Sequence, residues 1–247
     1  MAITQENHRL HQQALHKLLV EFDRVCRLLD IPYVLFAGTL LGAVRHQGFI
    51  PWDDDLDVMM LRADYQRFLS EAPSVLNTDD FYLQGEYSSH WPMFFSKLRL
   101  NNTTCLEKFH PKDEAMHQGI YIDIFPCDNA APTALGRRMQ FLASKVIITK
   151  ALDARGYDTD SRGKKIAMAL CRLLPTKPFL RLAKRGRADS TKVHSFFAAA
   201  RRYDKNVYPR DWFTRRTEGV FEGGTYPIPA DYDGMLTTLY GDYRTLP

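Results

Sequence analysis

Four acids in five residues, Asp53, Asp54, Asp55 and Asp57, stand directly before an apolar run, Val58-Met59-Met60-Leu61. Carboxylates this close repel one another, and burying them unpaired is costly. A divalent cation resolves the conflict. On a strand, Asp55 and Asp57 point to the same face, about 7 Å apart along the backbone. Leu56, Val58 and Met60 then take the other face, toward a core. Hard oxygen ligands on one face suit Mg²⁺ or Mn²⁺. A solvated acidic loop is the plainer alternative, and the Asp-x-Asp alternation running into apolar residues argues against it. A later acid, Asp123, stands alone in the apolar strand pattern Ile120-Tyr-Ile-Asp-Ile-Phe125. It needs a partner there, either a buried arginine or a metal shared with Asp55 and Asp57. The metal triad is the expectation.

The elements before the acids fit this chemistry. Ile31–Ala37 reads as a buried strand, Thr39 as the N-cap of a helix over Leu40–His46, and Gly48 as its stop. A strand, a Gly38-Thr39 turn and a helix N-terminus form a phosphate cradle, because backbone N–H groups face the anion and glycine lets it approach. Phosphoryl chemistry needs such a cradle and a metal to neutralise charge. Lys97 and Arg99 share a face of a strand over Phe94–Leu100. They read either as anion clamps or as an exposed strand face. Asp128 reads as the cap of a turn.

These residues carry a resemblance. The order Gly38-Thr39, Asp55-x-Asp57 and then a later single acid resembles the DNA polymerase β-like nucleotidyltransferase superfamily. Within it, the longer string Gly38-Thr-Leu-Leu-Gly-Ala-Val-Arg45-His-Gln-Gly-Phe-Ile-Pro-Trp-Asp-Asp-Asp-Leu-Asp57 resembles the LicD family. Fukutin-like proteins carry a similar string. Lys97-Leu-Arg-x-Asn-x-Thr-Thr and the Tyr240-Gly-Asp-Tyr243 tail are similar too. The resemblance implies an α/β fold, with a nucleotidyltransferase-type mixed sheet flanked by helices and a further helical region in the C-terminal half. It implies transfer of a phospho-substituent, phosphocholine from CDP-choline above all, onto a sugar of a cell-surface polysaccharide, teichoic acid or lipopolysaccharide precursor. Asp55, Asp57 and Asp123 would hold Mg²⁺ or Mn²⁺, with Asp123 nearest the attacking hydroxyl. Gly38 and Thr39 would seat the phosphate, and Arg45, Lys97 and Arg99 would add positive charge. Transfer of a nucleoside monophosphate to a small molecule, or a non-catalytic nucleotide-binding scaffold, are the alternatives.

With 247 residues, 45% of them hydrophobic, the chain has ample material for a core. A catalytic core over residues 1–130 is expected, with a helical region and an aromatic, proline-rich tail over 131–247 packing on it. The net charge of +4 is modest and basic residues do not interleave with aromatics, which argues against nucleic acid. Cys26, Cys105, Cys127 and Cys171 are scattered, and no leader peptide is evident. A reducing, cytoplasmic setting is expected. A zinc site from Cys105, His110, His117 and Cys127 fits no standard spacing. No apolar run reaches the roughly 20 residues that span a bilayer.

Elsewhere, residues 6–30 read as an amphipathic helix whose histidines, His8, His11 and His16, are solvated or capping. Helices are also expected over Ala63–Leu76, over Thr133–Leu152 (on Leu135, Met139, Leu142, Val146 and Ile147), over Lys164–Leu174, Pro178–Arg187 and Ser190–Asp204. Phe81–Tyr87 reads as a strand. The basic helices between 164 and 187 suit either solvent or the inner face of an anionic membrane. Aromatics near acids in the tail either pack or cage a quaternary ammonium group.

Overall fold

A computed structural model describes residues 5–88, 90–106, 116–196 and 203–245. The chain folds around a curled mixed sheet in the order β1-β2-β5-β4-β3, flanked by helices. β1 is Val34–Leu35, β2 Asp57–Leu61, β3 Phe81–Gln84, β4 Ser96–Leu100 and β5 Tyr121–Asn129. β2 and β5 run parallel, and the other pairings of this order are antiparallel. The far end of β5 pairs with β6 (Lys192–His194), which pairs in turn with β7 (Val207–Pro209).

Helix α1, Gln5–Leu28, lays Leu15, Leu18, Leu19, Phe22, Val25 and Cys26 into the core. These fall at helical spacing, and burying each large side chain contributes about 1.5–3 kcal/mol. After β1, α2 runs from Ala37 to His46 and leads through the acidic loop into β2. α3 follows over Arg62–Glu71 and ends in a 3₁₀ turn at Pro73. Past the sheet come α4 (Ala134–Ala154), α5 (Arg162–Leu173), α6 (Thr176–Ala183) and the short α7 (Asp211–Thr214). The chain then forms a hairpin of β8 (Arg216–Phe221) and β9 (Gly224–Pro229), and α8 spans Tyr232–Tyr240. Glu222 and Gly223 turn the hairpin with both φ angles positive, the geometry that twists with the strands.

Several elements differ from expectation. The first strand is only two residues, because Pro32 lacks an N–H and Ala37, at φ 47°, already turns the chain into α2. Thr39 is therefore inside the helix, and Phe36 occupies the N-cap without a side-chain bond. The helix stops on Gln47 in the left-handed region, one residue before Gly48. The expected helix over 190–204 is instead strand β6 at its start, where β5 and β7 offer backbone partners on both sides. Residues 197–202 lie outside the described residues. Asp128 is no turn cap. It is buried and takes a forked pair of hydrogen bonds from Arg62, at 2.8 and 2.9 Å. Burial pushes its carboxyl up, and the Arg62 charge and bonds outweigh this and hold it below the usual range.

His194, the register partner of Asp128, is fully buried and donates through Nε2 to the Ala183 carbonyl at 3.1 Å. Burial lowers its imidazole to about 4. A histidine kept neutral this way loses stability as pH falls below its unfolded value near 6.5, by about 1.4 kcal/mol per unit. A His194→Gln variant keeps the donor and removes the proton site. In urea titrations it should gain on the wild type step by step between pH 6.5 and 4. A constant difference across that range would refute a neutral His194.

Candidate active site

The parallel pairing of β2 with β5 sets Asp57 directly beside Asp123. On the other side of β5, the register sets Lys97 of β4 beside Asp123. Three strands thus carry acid, acid and lysine in one row across the sheet. Lys97 Nζ lies 2.9 Å from Asp123 Oδ1 and is 1% exposed. It also sits 3.0 Å from the centre of the Tyr121 ring and 4.9 Å from that of Trp91, so aromatic faces share its charge.

The loop before β2 brings in the remaining acids. Asp55 precedes the strand, so its position is set by the loop and not by a shared pleat. Thr39 Oγ1 accepts the Asp57 N–H at 2.8 Å and Phe36 N–H bonds the Asp57 carbonyl at 3.0 Å, which ties the start of β2 to the start of α2. Gly38 lets the Asp53 side chain approach closely: a Cβ there would lie 2.8 Å from Asp53 Oδ2 and push that carboxyl aside. Asp53 therefore rests against the N-terminus of α2, where unpaired N–H groups favour an anion. From α1, Gln12 Nε2 donates to the Asp53 carbonyl at 3.0 Å and His11 Nε2 to the Asp54 carbonyl at 2.9 Å. His8 and His11, read from sequence as solvated or capping, border the acidic loop.

Crowding shows in the titration of these groups. Burial pushes Asp57 well above the ordinary carboxylate range, reinforced by the charges of Asp55, Asp123 and Asp53 and opposed by Lys97. Burial also raises Asp55, helped by Asp54. Asp53 is pushed up to about 7 by burial, by the charge of Asp55 and by donating its proton in a hydrogen bond to Asp55. Burial raises Tyr240 of α8 as well, followed by the charges of Asp57, Asp53 and Asp55, which places its hydroxyl near the acids.

Among the described residues, no three His, Cys, Asp or Glu side chains stand ready to enclose a metal ion. Asp123 is turned toward Lys97, and Asp53 and Asp55 bond each other. The donor set still fits a hard divalent cation. It is made of carboxylates crowded together, and their mutual repulsion and partial withdrawal from water raise Asp53, Asp55 and Asp57 above the ordinary range, a strain that a cation would relieve. The zinc grouping does not assemble. Cys127 is buried in the core, His117 stacks on Tyr82 with ring centres 4.9 Å apart, and His110 lies outside the described residues.

The other residues expected at the site fall at different distances. Arg99 is buried, so the exposed-face reading of this strand is corrected. It donates from Nε to Gln84 at 2.7 Å and from Nη1 to the Gly119 carbonyl at 2.9 Å, one pleat repeat from Lys97. Arg45 lies at the opposite end of α2 from Gly38, about 10 Å along the axis, and donates to the Tyr243 carbonyl at 3.1 Å. A cavity of about 560 Å³ opens beside Asp54 and Asp55, lined by His8, His11, Cys105, Leu106 and Tyr121. Tyr121 shares a strand face with Asp123, two residues away, so period-two spacing could have pointed to it. Tyr240 has no such signal, because only the docking of α8 against α2 brings it near.

A helix N-terminus at the mouth of a β strand, with acids on that strand and on its parallel neighbour, sets an anion seat beside a row of carboxylates. Residues 30–135 match the family described as LicD/FKTN/FKRP, nucleotidyltransferase domain. The lipopolysaccharide cholinephosphotransferase LicD of Haemophilus influenzae is 28% identical over 242 residues, covering 93% of this chain and 88% of that protein. An uncharacterized protein of Rickettsia typhi is 42% identical over 60 residues, 24% of this chain and 19% of that one. Another, of Rickettsia prowazekii, is 45% identical over 51 residues, 21% and 19% of the two chains. The chain is an enzyme, a phosphotransferase.

Proposed function

We propose that the chain transfers phosphocholine from CDP-choline to a sugar hydroxyl of lipopolysaccharide or a related surface glycan such as teichoic acid. The observation that carries this reading is the row Asp57, Asp123, Lys97 across three strands, in a chain similar along most of its length to a lipopolysaccharide cholinephosphotransferase.

The acceptor oxygen attacks the phosphorus that bears choline, the bond from that phosphorus to the bridging oxygen breaks, and CMP leaves with the electron pair. Asp55, Asp57 and Asp123 would hold Mg²⁺ or Mn²⁺, which when bound supplies positive charge to the diphosphate. The remaining work belongs to the chain. N–H groups at Gly38 and Thr39 orient a phosphate once Asp53 moves aside. Lys97 pairs with Asp123 and orients its carboxylate, which is placed to take the acceptor's proton. The cavity beside the acids combines Asp54 and Asp55 with Tyr121 and Leu106. Negative charge with aromatic and apolar contact is what a trimethylammonium group binds.

Melting curves with CDP-choline, other CDP-alcohols, ATP, CTP and UDP-sugars, each with and without Mn²⁺, test the donor. A ligand of the native state raises the midpoint by mass action. A Mn²⁺-dependent rise with CDP-choline is expected. A rise with a nucleoside triphosphate alone would favour transfer of a nucleoside monophosphate, a reading that the family's domain description also accommodates. No rise with any compound would favour a scaffold.

A further inference from the structure

The charge of the chain is unevenly divided. Residues 131–187 hold fourteen lysines and arginines against three acids, so the rest of a chain of net charge +4 is net negative, at −7. This basic stretch is α4, α5 and α6 with their connections.

The same helices turn large apolar side chains outward. On α4 the buried residues are small or polar, Gln140, Ala143, Ser144 and Ala151, with Ile147 the one large member. Leu135, Met139 and Leu142, at i, i+4 and i+7, occupy the opposite face and are 70%, 46% and 63% exposed. α5 buries no residue at all. Its Lys164, Ala167 and Met168 line a cleft against Thr149 and Leu152 of α4, so Ile166, Leu170 and Leu173, again at i, i+4 and i+7, point away from the protein. Leu173 is 83% exposed. Two neighbouring helices thus present leucine-rich stripes to the outside within the most basic part of the chain.

We propose that the outer faces of α4 and α5 dock this protein peripherally on an anionic lipid bilayer. Apolar side chains standing out from a basic surface match the depth profile of such a bilayer, with acyl chains below and phosphate above. The lysine and arginine stems reach back along the helices while their charges meet headgroups. A second copy of the chain is disfavoured on this face, since it would set like charges against each other. Among the described residues no helix is long and apolar enough to cross a membrane, so the contact is interfacial. The inference is independent of which phospho-group the enzyme transfers.

The test is co-sedimentation of the whole chain with phosphatidylglycerol vesicles, with phosphatidylcholine vesicles as control. Binding to phosphatidylglycerol is expected to be at least tenfold stronger, and to weaken with salt. A Leu170→Glu/Leu173→Glu variant should lose at least tenfold in binding while its melting temperature is unchanged, because neither side chain is buried in the fold. Failure of the wild type to sediment with phosphatidylglycerol would overturn the proposal. So would a variant that binds vesicles as well as the wild type, since charge alone would then explain the binding. A wild-type dimer that the variant dissolves would instead identify the face as a contact between copies.

Discussion

Asp57→Asn is expected to reduce phospho-group transfer by roughly a thousandfold or more while the protein folds at least as well as the wild type. The two halves of this result share one cause. Asp57 is half-buried beside Asp123 and near Asp55 and Asp53, and its withdrawal from water together with these charges raises its carboxyl well above its unfolded value. A carboxyl with a raised folded pKa binds more protons in the folded state than in the unfolded one. Its contribution to stability is therefore present at low pH and declines as pH rises from the ordinary carboxylate range through the folded value. Asparagine never ionises, so the variant lacks that decline, and its melting temperature at pH 7 should match or exceed the wild type's. The wild type should recover the difference when Mn²⁺ is added, and the variant should not respond. A variant that retains full activity would remove Asp57 from the reaction. One that unfolds would show that its carboxylate is a structural partner instead.

Lys97→Met acts in the opposite direction on stability. Lys97 is the buried cation beside Asp123, and it also lowers the carboxyls of Asp55 and Asp57. Removing one partner of a buried pair costs about 3–5 kcal/mol, a large share of the 5–15 kcal/mol typical of a domain. The methionine is close in shape, so packing against Trp91 and Tyr121 survives and the loss reports charge. Adding Asp123→Asn to Lys97→Met should restore most of the stability, because no unpaired charge then remains at that position. Activity should stay absent in the double variant. Urea unfolding of the four proteins measures the coupling directly. If the double variant is as unstable as Lys97→Met, the ion pair is not what Lys97 contributes.

Sequence showed the parts of this site more clearly than their arrangement. Asp55-x-Asp57 entering an apolar run and Asp123 alone in another are local patterns, visible because a carboxylate among branched apolar residues is out of place. That Asp57 and Asp123 are neighbours follows from the parallel pairing of β2 and β5, which no local pattern encodes. Lys97 was visible as a cation on a strand, but its bond to Asp123 depends on β4 pairing with the other edge of β5. Thr39 looked like a cap from its place before an apolar helix. It sits a turn inside instead, because Ala37 starts the helix early, and its hydroxyl serves the β2 backbone. On α4 the period was clear and the inward side was not. The side that meets its neighbours is built of Ala143, Ser144 and Ala151, so the leucines that normally mark a core face point outward. β6 was hidden for a similar reason, since three residues become a strand only between two others.

The most direct test of the account is the fate of CDP-choline incubated with the protein, Mn²⁺ and lipopolysaccharide, followed by separation of the nucleotide products. The account predicts that CMP is released, that choline phosphate appears on the glycan, and that both disappear in Asp57→Asn. Release of free phosphocholine with the cytidylyl group on the acceptor would contradict it, since the same carboxylates would then be carrying out nucleotidyl transfer.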